Sequence, residues 1–173
     1  MNIHKGTEVK LTPEIMNKIT AHTNEAFSYY TNNNNRSVQL RKEHITRGKM
    51  AEYGYYVMVR RLGIDISEPD LTNHKNGDDG GSDFVVNKTT VDVKSLDAGK
   101  RGYYQVPIPK LRAEVYVMCW VDVYNKIVTY EGAITRNKIQ MQELLEEGTN
   151  PTTGLPYKYV NKKHLTELNE NFE

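Results

Sequence analysis

The sequence is poor in cysteine and in long apolar runs. Cys119 is the single cysteine among 173 residues, so no disulfide can form within the chain, as expected in a reducing compartment. The longest apolar run, 115–123, is interrupted by Asp122 and is too short to span a bilayer. The first ten residues lack the apolar stretch of a signal peptide. We therefore expect a cytoplasmic protein that makes no membrane contact.

The sequence also lacks a large net charge. It has 23 Lys and Arg residues against 22 Asp and Glu residues, which leaves a formal net charge of +1. A domain that holds nucleic acid through overall positive charge is usually more basic, so net charge does not favour nucleic-acid binding. A local basic patch is still possible, because Lys100, Arg101, Lys110 and Arg112 lie close together in the sequence. The length is sufficient for one domain with a sizeable core.

Two helices are predicted in the first third of the sequence. Thr12 can cap the first helix, Pro13 suits its first turn, and apolar residues recur at helical spacing as far as Tyr30. The second helix is predicted from about 46 to 62, with apolar residues on almost every side. Glu52 is expected in its first turns, in a mostly apolar setting.

Strands joined by turns are predicted in the second half. The predicted strands are 83–86, 90–94, 113–124, 127–130 and 157–160. Both alternating faces of 113–124 are apolar, which predicts a central strand covered on both sides. A helix is expected from Thr135 to near Gly148, and Asn161 can cap a last helix that carries Leu165 and Leu168.

This order of elements predicts an α/β domain with a central mixed β-sheet flanked by helices. Residues 1–45 are expected to form an N-terminal helical extension, which includes an extra helix. Residues 46–173 are expected to form the sheet-containing domain, and the two parts to pack as a single compact domain.

An acid and a lysine share one face of a predicted strand. Side chains alternate along a strand, so Asp92 and Lys94 point the same way. A two-residue turn at Asn87 and Lys88 would place Asp83 opposite Asp92, and a four-residue turn would place it opposite Lys94. Both registers keep the three side chains on one face, whereas a three-residue turn would separate Asp83 from the other two.

Two interpretations of this group are open. Asp92 and Lys94 could form a solvent-facing ion pair. Alternatively, two opposed carboxylates repel each other and favour a bound cation, and carboxylate oxygens suit Mg²⁺. A nearby lysine can then orient an attacking water or neutralise charge that develops on a phosphate. Metal, water and a positive donor are the parts that a phosphodiester hydrolase needs.

Asp83, eight intervening residues and then Asp92-Val93-Lys94 resemble the D-x(n)-(D/E)-x-K core of the PD-(D/E)XK, or restriction-endonuclease-like, nuclease superfamily. The usual proline is replaced by Ser82. The segment 48–52, which ends in Glu52, is similar to the N-terminal helix of that superfamily. The resemblance covers residues from about 46 to 168. Within the superfamily, the chain is similar to archaeal Holliday-junction resolvases and to many phage-borne nucleases.

The resemblance implies a restriction-endonuclease-like core and a metal site. Asp83 and Asp92 would be metal ligands, with the Val93 carbonyl as a further ligand, and Lys94 would position or activate the water. Glu52 would bind the metal directly or through water; alternatively, it is a helix glutamate held by an ordinary ion pair. The implied cofactor is Mg²⁺, for which Mn²⁺ can substitute.

Further residues are expected to contact the substrate. Gln105 would contact the scissile phosphate or orient Lys94, or else be an ordinary surface residue. The loop that follows Lys94 combines cations and aromatic rings that could clamp a DNA backbone, or it is simply solvated. The expected DNA-binding residues are Lys100, Arg101, Tyr103, Tyr104 and Lys110. Asp78 and Asp79 compete with Asp83 for the acidic position.

The expected function is therefore a metal-dependent endonuclease acting on DNA. Structure-specific, restriction-type and exonuclease cleavage are all compatible with the resemblance. The alternatives are a non-catalytic module that binds nucleic acid or protein on a nuclease scaffold, and a ribonuclease. A homodimer would be the simplest way to cut both strands of a duplex.

Overall fold

Two β-sheets and a pair of long helices make up the part of the chain that the structure describes. This computed structural model describes residues 3–29, 38–72, 81–97, 103–141, 146–149 and 154–168. The helices are α1 (Pro13–Tyr29), α2 (Val38–Arg61) and the short α3 (Arg136–Gln140). The strands are β1 (Glu8–Lys10), β2 (Phe84–Val86), β3 (Thr89–Asp97), β4 (Tyr103–Pro107), β5 (Val115–Asp122), β6 (Ile127–Thr135), β7 (Glu147–Thr149) and β8 (Pro156–Asn161).

The larger sheet is mixed, which confirms the predicted α/β class. Its strand order is β1-β6-β5-β3-β2, with β3 and β5 parallel and the other neighbours antiparallel. The β2–β3 turn has positive φ at Asn87 (48°) and Lys88 (71°), which is typical of a two-residue hairpin turn. Val86 therefore pairs with Thr89 and Phe84 with Val91, so the two-residue register is confirmed.

Each face of the larger sheet has its own hydrophobic core. Helices α1 and α2 cover one face, where Val115, Val117 and Cys119 of β5 are buried. Tyr116 and Met118 point to the other face and are buried beside apolar residues of β4 and β8. The prediction of a central strand covered on both sides is confirmed. No helix within the described ranges is long and apolar enough to cross a membrane.

The layer on the second face differs from the prediction. A smaller antiparallel sheet, in the order β4-β8-β7, contributes to that core together with the single short helix α3. The prediction of helices on the faces of the sheet is therefore confirmed only in part, because among the described residues the second face carries a small sheet as well as a short helix. The physical reason is that Tyr104 and Val106 alternate with exposed Tyr103 and Gln105, so β4 buries one face as a strand does.

The second helix begins earlier than predicted. It starts at Val38 rather than near 46, because the intervening residues are good helix formers and include the Gln39–Glu43 hydrogen bond at 3.0 Å. Glu52 consequently lies in the second half of α2, and its expected place in the first turns was wrong. The helix also crosses the boundary expected at 45–46, and β1 pairs with β6 of the larger sheet.

The predicted helix from Thr135 to near Gly148 was wrong in its length. Thr135 does cap a helix, since its Oγ1 accepts a hydrogen bond from Lys138 N at 3.4 Å, but α3 ends at Gln140. Gly148 lies in β7 and pairs with Tyr157 of β8. Pairing with another strand has outweighed the local preference for helix at that point.

The predicted last helix was also wrong. Asn161 caps a single 3₁₀ turn, Lys162–His164, and the described residues after it, 165–168, are not helical. Thr166 instead pairs with Ala133 of β6, and Leu168 pairs with Ile3 near the N-terminus. Leu165 is buried in the second core, so its apolar side chain is used without a helix.

Candidate functional site

Asp83 lies at the start of β2 and is held by two backbone hydrogen bonds. Its own N–H donates to Val91 O at 2.9 Å, and its Oδ2 accepts from Val93 N at 2.7 Å. The N–H groups of Val91 and Val93 point away from β5, because backbone groups alternate sides along a strand. Since β2 begins only at Phe84, no β2 carbonyl is paired with Val93, and the Asp83 carboxylate takes that place.

Asp92 and Lys94 form a close ion pair on one face of β3. Lys94 Nζ lies 2.7 Å from Asp92 Oδ1 and 2.6 Å from Oδ2, so one ammonium group contacts both carboxylate oxygens. The Asp92 side chain is 12% exposed and that of Lys94 is 32% exposed. In the register with β5, Asp92 lies beside Tyr116 and Lys94 beside Met118. The prediction that Asp92 and Lys94 share a face is confirmed.

Glu52 is paired within its own helix. Its side chain is 12% exposed, and Oε2 accepts a hydrogen bond from Lys49 Nζ at 2.7 Å. Lys49 Nζ also donates to Asp70 O at 2.9 Å, which ties α2 to the segment that follows it. Sequence reasoning overlooked Lys49, although its i,i+3 spacing from Glu52 is a recognisable signal.

The charges of Glu52 and Asp92 both act on the Asp83 carboxylate. Burial raises the pKa of Asp83 well above its ordinary value, and the neighbouring charges of Glu52 and Asp92 raise it further. The hydrogen bond from Val93 N–H and the charge of Lys94 act in the opposite direction. An ionised Asp83 is therefore unfavourable in this setting unless a further positive charge is present.

A divalent cation is chemically suited to this group but would have to displace existing contacts. Carboxylate oxygens are the ligands that Mg²⁺ and Mn²⁺ prefer, and Lys94 Nζ already marks a cation position at Asp92. However, within the residues that the structure describes, no set of three or more His, Cys, Asp or Glu side chains is arranged to hold a metal ion. Metal binding at Asp92 therefore requires Lys94 to give up at least one of its two contacts.

The structure places Gln105 and Tyr104 on opposite faces of β4. Gln105 is exposed on the outer face of the smaller sheet, whereas Asp92 and Lys94 lie on β3 of the larger sheet. Tyr104 is 1% exposed and belongs to the second core. Its expected contact with a DNA backbone is contradicted, because a ring buried among Val106, Tyr116 and other apolar side chains cannot reach a phosphate.

The other predicted DNA contacts are only partly described. Tyr103 is 43% exposed, so its ring is accessible on the outer face of the smaller sheet. Lys110 lies in the 3₁₀ turn Ile108–Lys110, and its side chain is outside the description. Also outside the described residues are Lys100, Arg101, Asp78 and Asp79.

Comparison with known proteins does not assign this chain to a family. No protein-family model matches the sequence, and a search of curated proteins found no match. The chemistry of the acid cluster, defined as Glu52, Asp83, Asp92 and Lys94 together with Lys49, is therefore inferred from these side chains and their contacts.

Proposed function

We propose that this protein is a metal-dependent phosphodiesterase that hydrolyses DNA as an endonuclease. The observation that carries the proposal is that the charges of Glu52 and Asp92 both act on the Asp83 carboxylate, while Lys94 contacts Asp92. Burial and the two like charges near Asp83 raise its pKa, and a bound divalent cation would offset this cost of ionising Asp83. A purely structural ion pair between Asp92 and Lys94 would not need the two additional acids.

Each residue of the acid cluster has a role in this proposal. Asp83 and Asp92 would hold Mg²⁺ or Mn²⁺, and Glu52 would contact it directly or through water. The metal, when bound, would stabilise negative charge on the phosphate and lower the pKa of a water molecule. Lys94, on the strand face of Asp92, would orient that water once its contact with the Asp92 carboxylate loosens.

The arrangement of elements supports a restriction-endonuclease-like core within this proposal. Helix α2 supplies Glu52, the β2–β3 hairpin supplies Asp83, Asp92 and Lys94, and β5 lies parallel to β3. This is the order in which the sequence pattern of that superfamily places its acids and lysine. A homodimer with two such sites would cut both strands of a duplex.

A non-catalytic binding module is the second candidate, and one observation favours it. Both oxygens of Asp92 contact Lys94, and Glu52 is bonded to Lys49, so the acids are already neutralised in part by lysines. A scaffold that had lost its metal would be stabilised by such pairs. A ribonuclease with the same cluster is the third candidate.

The decisive experiment is cleavage of supercoiled plasmid and of a four-way junction in the presence of Mg²⁺ or Mn²⁺. We expect cleavage by the unmodified protein and a loss of at least about 100-fold in Asp92→Asn and Lys94→Ala. Lys18→Ala is the matched control, because it removes a lysine that pairs with a carboxylate at 2.8 Å outside the cluster. Circular dichroism would establish that each variant is folded.

The outcomes separate the three candidates. Equal cleavage by the Asp92, Lys94 and Lys18 variants would contradict the proposed site. An unmodified protein that cuts RNA but neither DNA substrate would be a ribonuclease. Absence of cleavage on DNA and RNA, with retained binding of either, would establish the binding module.

A further inference from the structure

The outer face of the smaller sheet contains a cavity that is separate from the acid cluster. Its volume is about 320 Å³, near the lower end of the range for sites that hold small ligands. Strands β4 and β8, the 3₁₀ turn that follows β8 and the residue before β7 contribute side chains to it. The lining residues are Tyr103, Glu146, Tyr159, Asn161, Lys163 and His164.

Three tyrosine rings form a fixed row along this face. The Tyr103 and Tyr159 ring centroids lie 4.6 Å apart at 89°, and those of Tyr157 and Tyr159 lie 4.8 Å apart at 85°. The hydroxyl groups of Tyr157 and Tyr159 are 2.6 Å apart and share a hydrogen bond. Edge-to-face packing holds each ring in place, so an incoming ligand would meet a preorganised aromatic surface.

A glycine makes room for the row. A Cβ atom at Gly148 would lie 2.9 Å from Tyr159 Cε2 and 3.1 Å from Tyr157 Cζ, which is closer than side chains tolerate. Any larger residue at this position of β7 would push the two rings out of their places. The positions of the Tyr157 and Tyr159 rings therefore depend on glycine at 148.

Polar groups stand at the other side of the cavity, on the 3₁₀ turn. Asn161 Oδ1 accepts a hydrogen bond from Lys163 N at 2.9 Å, and Asn161 N donates to His164 Nδ1 at 3.3 Å. Since Nδ1 accepts, the neutral imidazole of His164 carries its hydrogen on Nε2 and can act as a donor. The turn thus places Lys163 and a histidine N–H beside an aromatic wall.

We propose that this cavity binds an unpaired nucleobase of a single-stranded nucleic-acid segment. The base would stack on the accessible ring of Tyr103, and Lys163 would contact the adjoining phosphate. The Glu146 carboxylate and the Asn161 amide could accept from or donate to the edge of the base. This inference deepens the proposed function and relies on it for the choice of nucleic acid: it assigns a substrate that has an unpaired stretch.

The chemistry of the lining supports this ligand over a peptide or a small anion. A peptide strand would require a longer groove than about 320 Å³ provides. A small inorganic anion would gain nothing from the tyrosine row and would be repelled by Glu146. A nucleotide within a strand uses the aromatic wall, the hydrogen-bonding groups and the lysine together.

The test is fluorescence anisotropy with a short labelled single-stranded DNA, in EDTA so that no cleavage can occur. We expect Tyr103→Ala to raise Kd about tenfold and Tyr103→Phe to leave it unchanged, because stacking needs the ring and not the hydroxyl. Tyr124→Ala is the matched control: Tyr124 is 90% exposed and lies outside the cavity lining. Its Kd is expected to equal that of the unmodified protein.

A second pair of variants tests the phosphate contact. We expect Lys163→Ala to weaken binding and to reduce its dependence on salt, whereas Lys10→Ala, an exposed lysine on β1, should change neither. Unchanged binding in Tyr103→Ala, or an equal loss on fully paired duplex, would overturn the inference. So would complete competition by an equimolar mononucleotide, since the site would then bind free nucleotides.

This test is independent of the acid cluster. It is made in EDTA, and the variants at Tyr103 and Lys163 leave the acid cluster unchanged, because no residue of that cluster lines the cavity. Absence of cleavage by the unmodified protein, with retained Tyr103-dependent binding, would contradict only the phosphodiesterase proposal. Cleavage without Tyr103-dependent binding would contradict only the nucleobase site.

Discussion

The Asp83 carboxylate accepts a hydrogen bond from the Val93 backbone N–H at 2.7 Å, although the charge of Asp83 is unfavourable where it lies. The bond completes the edge of β3 beyond the point where β2 begins. The charge, in contrast, lies in a poorly exposed region beside Glu52 and Asp92. One side chain therefore combines a stabilising contact with a destabilising charge, and the two effects can be separated by substitution.

Asp83→Asn and Asp83→Ala should change stability in opposite directions. The asparagine oxygen can still accept from Val93 N–H, and the loss of charge removes repulsion, so we expect a higher free energy of unfolding than in the unmodified protein. Alanine leaves the Val93 N–H without its acceptor and should cost about 1–3 kcal/mol. Urea unfolding at neutral pH in EDTA measures both. If Asp83→Asn were less stable than the unmodified protein, the charge of Asp83 would not be destabilising.

Lys94→Ala should bind metal more tightly than the unmodified protein while losing cleavage. The Lys94 ammonium contacts both oxygens of Asp92 and so competes with a divalent cation for them. Its removal leaves Asp92 and Asp83 with less positive charge nearby. We expect Mn²⁺ to raise the melting temperature at a lower concentration in this variant.

The control for this measurement is the double variant Asp92→Asn with Lys94→Ala. Like the single variant, it lacks the lysine, and it also lacks the Asp92 carboxylate. It should show a much smaller response to Mn²⁺. If Lys94→Ala responded no more strongly than the unmodified protein, Lys94 would not be competing with metal at Asp92.

The local features of the site could be predicted from the sequence, but the smaller sheet that packs on the larger one could not. The Asn87-Lys88 turn, the shared face of Asp92 and Lys94 and the doubly covered β5 all follow from spacing over a few residues, where pattern and structure are closely linked. The smaller sheet depends on pairing between β4 and β8, which are separated by about fifty residues. No local pattern contains that information.

The same distinction explains which site residues were misplaced. Tyr104 and Tyr103 are neighbours in the sequence, but strand alternation buries the first and exposes the second. With the segment interpreted as a loop, both rings were expected at the surface. Lys49 was overlooked for a different reason: an ion pair was considered as the alternative for Glu52, but the lysine three residues before it was not identified as the partner.

Alanine substitutions at two glycines of α2 should change the stability of the protein in opposite directions. A Cβ at Gly54 would lie 2.6 Å from Val128 Cβ, so the helix must move away from β6 and the variant should lose about 1–3 kcal/mol. Gly48 has nothing within 4 Å of such an atom, and alanine there should add about 0.5–1 kcal/mol by favouring the helix. Thermal unfolding of both variants measures the difference. Equal effects would mean that α2 does not pack on β6 through Gly54.

His22 should make the protein less stable below neutral pH. Burial lowers its pKa from the ordinary 6.5, and its Nδ1 lies 2.9 Å from Leu71 O. The unfolded chain therefore takes up a proton at a higher pH than the folded one. The stabilisation by neutral His22 is fully present above pH 6.5 and is lost as the pH falls through the lower pKa of the folded state.

The variant His22→Gln isolates this contribution, because glutamine can donate to Leu71 O but does not titrate. The difference in unfolding free energy between the two proteins should change below pH 6.5, by at most about 1.4 kcal/mol per pH unit. Urea unfolding at intervals from pH 8 to about pH 5 measures it. A difference that stays constant over that range would contradict the lowered pKa of His22, because only a group that titrates differently in the two states can produce a slope.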